Sequence, residues 1–233
     1  MGWSRIAIAA LDIIIGDGCA ACAMPGPPLC DACLERMPVI GAAACARCGH
    51  PWPAPRPACP QCIAGLAIAR QAVRYDPPVP EAVRALKDTR RRAMAHPLAG
   101  VIARTVPRPA DGAVLVPVPL APARMADRGF NQAALIARAL ASMWGLPVDD
   151  CLTRGDGTGR QRGSGAARRR QQVAGAFTAP GPVPLHAVLV DDVVTTGATL
   201  TAAARALRAA GCARVGAVSL ARVALTGLGT RVG

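Results

Sequence analysis

Two adjacent acidic residues, Asp191 and Asp192, follow four apolar residues and stand just before a turn rich in hydroxyl groups. We expect residues 187–190 to form a buried parallel strand that ends at these acids. The turn at residues 195–199 reads Thr-Thr-Gly-Ala-Thr, and a segment of helical composition follows it. A strand, a tight turn and a helix start surround an anion with backbone N–H groups. Each carboxylate can accept a hydrogen bond from one hydroxyl of a diol, so the pattern predicts a ribose 5-phosphate site.

Eight cysteines within residues 19–62 form four pairs, and two residues separate the members of each pair. That spacing lets both thiolates of a pair bind one tetrahedral zinc ion, and two pairs complete a four-thiolate site. The intervening prolines and glycines suit tight loops and not a hydrophobic core, so metal must hold this segment together. A disulfide framework is the alternative, but nothing in the sequence suggests secretion. The predicted ligands are Cys19, Cys22, Cys30, Cys33, Cys45, Cys48, Cys59 and Cys62.

The pairing of these cysteines is open from spacing alone. Sequential pairing joins the first four in one zinc ribbon and the last four in another, while a cross-braced arrangement interleaves them. Both arrangements predict two structural zinc ions.

The net charge of +13, from 27 basic and 14 acidic residues, favours partners that carry phosphate groups. This inference is weakened because all basic residues but Lys87 are arginines in a chain rich in Ala, Gly and Pro. A GC-rich genome produces such a composition by itself. Aromatic residues make up only 3% of the chain, which argues against a base-stacking platform for single-stranded nucleic acid.

The N-terminal residues 6–15 are apolar, but they contain Asp12 and are too short to span a membrane. We expect a short amphipathic helix there, no membrane span and a cytoplasmic protein.

From residue 65 onward, patterns typical of strands and helices alternate. Alternation of this kind predicts an α/β fold with a parallel, doubly wound sheet, preceded by a small metal-binding domain at residues 1–64. Ligands of such sheets bind at the carboxyl ends of the strands, where residues 191–199 and 117–120 both fall. The other predicted strands are residues 67–75, 113–118 and 213–223, the predicted helices are residues 79–88, 93–106, 130–144 and 200–210, and residues 155–165 are predicted as a loop.

The segment at residues 187–199 resembles the signature of type I phosphoribosyltransferases that binds 5-phosphoribosyl 1-pyrophosphate (PRPP). Over nearly its full length, the chain resembles the ComF family of competence-associated, phosphoribosyltransferase-like proteins. The matching features are the cysteine pairs, Leu86-Lys87, Val-Pro-Val-Pro at 116–119, Arg-Gly-Phe-Asn-Gln at 128–132, Arg154 with Gln161, and the signature itself. The chain departs from the family pattern after Lys87, where Asp-Thr-Arg replaces an aromatic residue and a glycine, and at Gln172, where an asparagine is usual.

The resemblance implies a type I phosphoribosyltransferase-like sheet with an N-terminal zinc-ribbon domain of residues 1–64 and a transferase-like domain of residues 65–233. Asp191 and Asp192 would bind the ribose hydroxyls and act in catalysis, while Mg²⁺ would bridge the pyrophosphate and the ribose. Lys87 would approach the pyrophosphate, or else remain a solvated charge at a helix end. The implied PRPP-binding residues are Lys87, Val118, Arg128, Asp191, Asp192, Thr195, Thr196, Gly197, Ala198 and Thr199.

Two classes of function stay open, because no segment that reads a nucleobase is recognisable and the phosphoribosyl acceptor is unidentified. The first is a PRPP-binding, phosphoribosyltransferase-like protein of DNA uptake, competence or nucleotide metabolism, and this class includes an active transferase. The alternative is a non-catalytic module that binds single-stranded DNA or senses PRPP. The partners implied are PRPP, single-stranded DNA and competence proteins. The basic residues 154–170 would form a lid over the site or contact nucleic acid.

Overall fold

A computed structural model of the chain describes residues 18–41, 44–45, 47–50, 59, 62–155 and 176–223. The predicted helix at residues 6–15 and most of the basic segment, including Gln161, Gln172 and residues 168–170, lie outside these ranges. In chain order the elements are α1 (Asp31–Glu35), β1 (Ala69–Arg74), α2 (Val79–Lys87), a 3-10 turn (Arg92–Met94), α3 (Ala95–Thr105), β2 (Val114–Pro117), α4 (Pro122–Arg128), α5 (Gln132–Trp144), β3 (Thr153–Arg154), β4 (Phe177–Thr178), β5 (His186–Val194), α6 (Ala198–Ala209) and β6 (Arg214–Arg222).

The main sheet has four parallel strands in the order β1-β6-β5-β2, which confirms the predicted α/β class. Its strands are apolar on both faces because helices cover both. Helices α2, α3 and α5 contribute Leu86, Leu98 and Leu140 to the apolar core on one face, which we call the α3 face. Helix α6 contributes Leu200 and Leu207 to the core on the other, which we call the α6 face.

Strand β5 is longer than the sequence suggests, so the expectation that it ends at the two acids is wrong. Asp191, Val193 and Val194 continue the ladder by pairing with residues of β6. Because side chains alternate along a strand, Asp191 and Asp192 project to opposite faces of the sheet. The two acids therefore have different surroundings although they are neighbours in the chain.

The four helices predicted between residues 79 and 210 are confirmed: α2 begins at Val79 as predicted, and the other three have shifted starts. Residues 93–106 form the 3-10 turn followed by α3. Helix α5 begins at Gln132 because the Asn131 side chain caps it, accepting a hydrogen bond from the Ala133 N–H at 3.0 Å. Helices α1 and α4 and the strands β3 and β4 were not predicted. None of the residues of α4 is buried, so its sequence carries no apolar stripe that would indicate a helix.

Irregular segments cover both edges of the main sheet. On the β1 side, Ile40 donates its N–H to the Ala72 carbonyl at 3.0 Å, and Arg74 donates to the Pro38 carbonyl at 2.9 Å. On the β2 side, Leu115 exchanges hydrogen bonds with residues 147–149. The chain between the two groups of cysteines thus adds to the sheet at β1. Among the described residues, no helix is both long and apolar enough to cross a lipid bilayer.

Candidate PRPP site and cysteine clusters

The turn between β5 and α6 forms an open cradle of about 30 Å³ at the carboxyl edge of the sheet. Gly197 lies in the left-handed region with φ of +78°, and its carbonyl accepts a hydrogen bond from the Thr201 N–H at 2.9 Å. The first N–H groups of α6 have no partner inside the helix. Apart from the Ala198 N–H, which donates to Thr196 Oγ1 at 3.3 Å, they are available as donors for an anion. The cradle is lined by Asp191, Val193, Val194, Thr195, Gly197, Ala198, Thr199 and Leu200.

Asp191 lies on the cradle side of β5. Its Oδ1 accepts a hydrogen bond from the backbone N–H of Asp192 at 2.9 Å. Burial raises the pKa of Asp191 well above its ordinary value, the neighbouring Asp192 carboxylate raises it further, and Lys87 partly opposes the shift. The cradle thus contains a carboxyl group whose charged form would be stabilised by a cation or a hydrogen-bond donor brought by a ligand.

Asp192 lies on the opposite face and forms an ion pair with Lys87 at the end of α2. The Asp192 carboxylate is 5% exposed, while the Lys87 side chain is 25% exposed. A buried carboxylate needs such a partner, because an unpaired charge at this depth costs several kcal/mol. Lys87 is therefore held at the carboxyl edge of the sheet by its ion pair with Asp192.

Val118 and Arg128 do not line the cradle. The Val118 N–H is already used, because it donates to the Val190 carbonyl at 2.9 Å, and Pro119 has no N–H to offer. The Val118 carbonyl accepts a hydrogen bond from the Asn131 side chain at 3.0 Å. In this arrangement Val118 offers no free amide for a pyrophosphate. The Arg128 guanidinium donates to the Gln132 side-chain oxygen at 2.7 Å.

The eight cysteines form two clusters in sequential order, so the cross-braced alternative does not apply. The first cluster contains Cys19, Cys22, Cys30 and Cys33, and the second contains Cys45, Cys48, Cys59 and Cys62. The sulfur atoms of each cluster lie within 4.8 Å of one another.

The spacing of the sulfur atoms fits a tetrahedral metal. Three pairs of sulfurs are 3.7 Å apart, one pair in the first cluster and two in the second. A tetrahedron with Zn–S bonds of ~2.3 Å has edges of about 3.8 Å, whereas disulfide sulfurs lie ~2.05 Å apart. Burial raises the pKa of Cys19, yet backbone N–H groups outweigh it and lower the value to about 6. Both clusters are therefore able to bind zinc.

Known proteins similar to this chain agree with the geometry. The profile of the phosphoribosyl transferase domain matches residues 128–226. The DNA utilization protein YhgH of Salmonella typhimurium is 36% identical over 182 residues, covering 73% of this chain and 80% of that protein. The competence protein F of Haemophilus influenzae is 37% identical over 113 residues, which are 46% of this chain and 49% of that protein. The competence protein ComFC of Streptococcus pneumoniae is 32% identical over 112 residues, covering 46% of this chain and 47% of that protein.

This chain belongs to the ComF family. Its Arg-Gly-Phe-Asn-Gln unit, at residues 128–132, forms the joint between α4 and α5. Gly129 ends α4 with φ of +75°, and the Arg92 guanidinium stacks over the Phe130 ring at 4.9 Å. Asn131 caps α5 and also holds the end of β2 through Val118. The unit is therefore a structural joint that fixes the strand end beside the cradle.

The departure from the ComF pattern after Lys87 is accommodated in the same region. Arg90 has φ of +56°, a left-handed conformation that favours glycine. Its guanidinium donates a hydrogen bond to the Asp127 carbonyl at the end of α4. The side chain thus ties the loop after Lys87 to the joint between α4 and α5.

Arg154 lies nearer to the candidate site than its assignment to a flexible loop suggests. It forms part of β3, and its guanidinium stacks over the Phe177 ring at 5.0 Å. Burial lowers the pKa of Arg154, the charge of Arg124 lowers it further, and the charge of Asp191 opposes both. Arg124 belongs to α4, so no sequence signal indicated that its charge acts on Arg154.

Proposed function

We propose that this chain binds PRPP at the carboxyl edge of its sheet and acts in DNA uptake or utilisation, the role named for its relatives. The observation that carries the proposal is the cradle in which Asp191 faces the first N–H groups of α6. A phosphate at a helix start beside a carboxylate that accepts hydroxyl groups is the chemistry of a ribose 5-phosphate.

Different residues would bind the different groups of PRPP. The 5-phosphate would accept hydrogen bonds from the turn at residues 195–199, and the ribose hydroxyls would donate to Asp191. The Lys87–Asp192 ion pair would lie toward the pyrophosphate, where Lys87 can exchange Asp192 for a phosphate oxygen. Mg²⁺ would supply charge neutralisation of the pyrophosphate, and the two carboxylates are the oxygen ligands on offer. Arg128 would act indirectly, through the joint between α4 and α5.

A transferase would use the same arrangement for catalysis. Departure of pyrophosphate leaves positive charge on the anomeric carbon, which the Asp191 carboxylate could stabilise. These residues account for binding of PRPP, and the acceptor that would receive the phosphoribosyl group is not specified by them. Release of pyrophosphate from PRPP, assayed across a panel of bases and amines, tests for activity.

Zinc is the metal proposed for both cysteine clusters, because four thiolates at tetrahedral spacing suit it. We also propose that residues 1–64 act as a zinc-ribbon domain and that the protein works in the cytoplasm.

Titration calorimetry with PRPP and Mg²⁺ tests the binding proposal. Asp191→Asn should weaken binding by about tenfold or more, because a charge-assisted hydrogen bond contributes roughly 1.5–3 kcal/mol. Asp150→Asn is the matched control, since Asp150 is exposed and pairs with Arg138 away from the cradle. Unchanged affinity in Asp191→Asn would place the ribose elsewhere.

Single-stranded DNA is a second ligand favoured by a specific feature, a cavity of about 220 Å³ at the opposite, amino edge of the sheet. Its walls include Ile68 and Val188, and Arg70, Arg108 and Arg214 contribute the positive charge. Among the described residues that line it, none is acidic. Apolar walls beneath a cationic rim suit a base whose phosphate stays outside, so we propose a DNA contact here.

Fluorescence anisotropy with a labelled oligothymidylate tests this contact. Arg108 is paired with Asp111 at 2.7 Å, so the double variant Arg70→Glu/Arg214→Glu is the better probe. It should weaken binding and flatten the salt dependence, with PRPP affinity unchanged. Arg205→Glu, an exposed position on α6, controls for net charge. If charge reversal at residues 168–170 abolishes binding and the double variant does not, the contact lies in that segment.

A further inference from the structure

The turn of the candidate PRPP site rests directly on a side chain from the cysteine-rich segment. A Cβ placed on Gly197 would lie 2.7 Å, 3.0 Å and 3.1 Å from three carbon atoms, all of them in the side chain of Ile63. Ile63 is 3% exposed and belongs to the apolar core on the α6 face. The closest approach to the floor of the turn is therefore made by one isoleucine.

Ile63 follows a predicted metal ligand without any intervening residue. The Cys62 sulfur is 3.7 Å from that of Cys45, and the Cys62 N–H donates to the Cys59 carbonyl at 3.4 Å. A metal held by these thiolates would fix the backbone one residue before the side chain that supports the turn. Loss of the metal would remove that constraint from the backbone and would leave Ile63 held by its packing in the apolar core on the α6 face.

Arg222 provides a second connection between the second cluster and the turn. Its side chain is 1% exposed, and its charge interacts with those of Cys48, Cys59 and Cys62. In the sheet, Arg222 pairs with Val194, the residue immediately before the turn. The second cluster is thus connected to the turn in two ways. Ile63, next to Cys62, packs against Gly197, and Arg222 in β6 pairs with Val194 just before the turn.

We propose that Ile63 is a positioning residue for PRPP and that the second cluster, acting through Ile63, sets the affinity of the turn for the 5-phosphate. The proposal rests on PRPP binding at this turn, as proposed above. The isoleucine holds Gly197 in its left-handed conformation, and that conformation directs the N–H groups of the turn toward the phosphate. The metal would then have a role in ligand binding besides its role in folding.

Leu66 offers a matched control three residues later. It is also 3% exposed and packs in the same apolar core on the α6 face. It is not among the nearest neighbours of Gly197. Leu66→Ala and Ile63→Ala should therefore lower the thermal stability by similar amounts, because each removes a buried aliphatic side chain.

Calorimetry on the full-length, zinc-loaded protein tests the proposal with two ligands, PRPP with Mg²⁺ and ribose 5-phosphate alone. Ile63→Ala should weaken both ligands by about fivefold or more, and Leu66→Ala should leave both unchanged. Ile63→Val, which keeps the branched Cβ, should restore most of the affinity and serves as the probe if Ile63→Ala does not fold. Equal affinities for Ile63→Ala and Leu66→Ala would overturn the proposal.

Hydrogen exchange without ligand separates this proposal from that of PRPP binding. Amides of residues 195–199 should exchange faster in Ile63→Ala than in Leu66→Ala, whether or not the parent protein binds PRPP. If the parent protein does not bind PRPP but the exchange is faster in Ile63→Ala, the proposal of PRPP binding fails. The proposal that Ile63 supports the turn then still stands. Equal exchange in the two variants would refute that support.

Discussion

The two cysteine clusters share ligand type and spacing but have contrasting surroundings. In the first cluster, Cys19 and Cys33 are buried with Leu29 and Met37 in the apolar core on the α3 face. The second cluster is surrounded by polar groups, namely the buried guanidinium of Arg222 and the imidazole of His50. It also adjoins the candidate PRPP site through Ile63, a contact for which the first cluster has no counterpart among the described residues.

This contrast shows that ligand spacing predicts a metal but does not predict what the metal supports. A zinc ion with four thiolates carries a net negative charge, which costs free energy when it is buried. At the first cluster Cys22 is exposed, so water can screen that charge. At the second cluster a buried arginine compensates it. We therefore expect the first cluster to serve the fold and the second to serve both the fold and the candidate PRPP site.

The largest expected effect distinguishes the clusters directly. Cys33→Ser and Cys48→Ser should each remove one zinc ion per chain and lower the free energy of unfolding by about 3 kcal/mol or more. Only Cys48→Ser should also weaken PRPP binding. Elemental analysis, thermal unfolding and calorimetry check the three quantities. If both variants lose PRPP affinity equally, the two clusters do not differ in function.

The second largest effect is expected from replacing the buried Arg222. Arg222→Met removes the cation beside the second cluster, and an uncompensated buried charge costs roughly 3–5 kcal/mol. We expect a chelator to remove one of the two zinc ions much faster from this variant than from the parent protein. Zinc release followed with a colorimetric dye checks this, and unchanged release would mean that solvent already screens the second cluster.

We expect the buried Asp191 carboxylate of the cradle to lower the free energy of unfolding. The pKa of Asp191 is raised in the folded state, so folding favours the protonated carboxyl and stability falls as the pH rises above the value in the unfolded chain. Asp191→Asn should therefore raise the melting temperature at pH 8, by about 2–4 °C for each kcal/mol recovered. The gain should shrink toward pH 4. Thermal unfolding at both pH values checks it, and a lower melting temperature at pH 8 would contradict it.

The smallest loss of stability is expected from a single hydrogen bond beside the first cluster. Arg91 donates a hydrogen bond to the Gly18 carbonyl at 2.6 Å, next to Cys19. Arg91→Gln should cost about 1 kcal/mol, with zinc content and PRPP affinity unchanged. A chemical denaturation series measures the cost. A loss of zinc in this variant would show that the first cluster also depends on a neighbouring cation.

Local patterns predicted most of the fold, and they predicted the turn that lines the cradle. The alternation of strands and helices, the cysteine ligands and the turn at residues 195–199 are all encoded within short stretches of sequence. The partner of Lys87 and the support of Gly197 by Ile63 join residues more than one hundred positions apart, which spacing cannot indicate. The end of β5 was misplaced because two acids in an apolar run suggest a strand end, although pairing with β6 carries the strand past them.

The addition of residues 38–40 to the edge of β1 has a consequence for the tendency of the protein to aggregate. An uncovered edge strand offers its N–H and C=O groups to any other extended chain, and self-association follows. Because segments that carry the proposed zinc ligands flank residues 38–40, we expect starvation for zinc or oxidation of the thiols to uncover this edge. Damage to the cysteines would thus lead to aggregation and to removal by proteases, and a truncated chain that begins at β1 would share that fate.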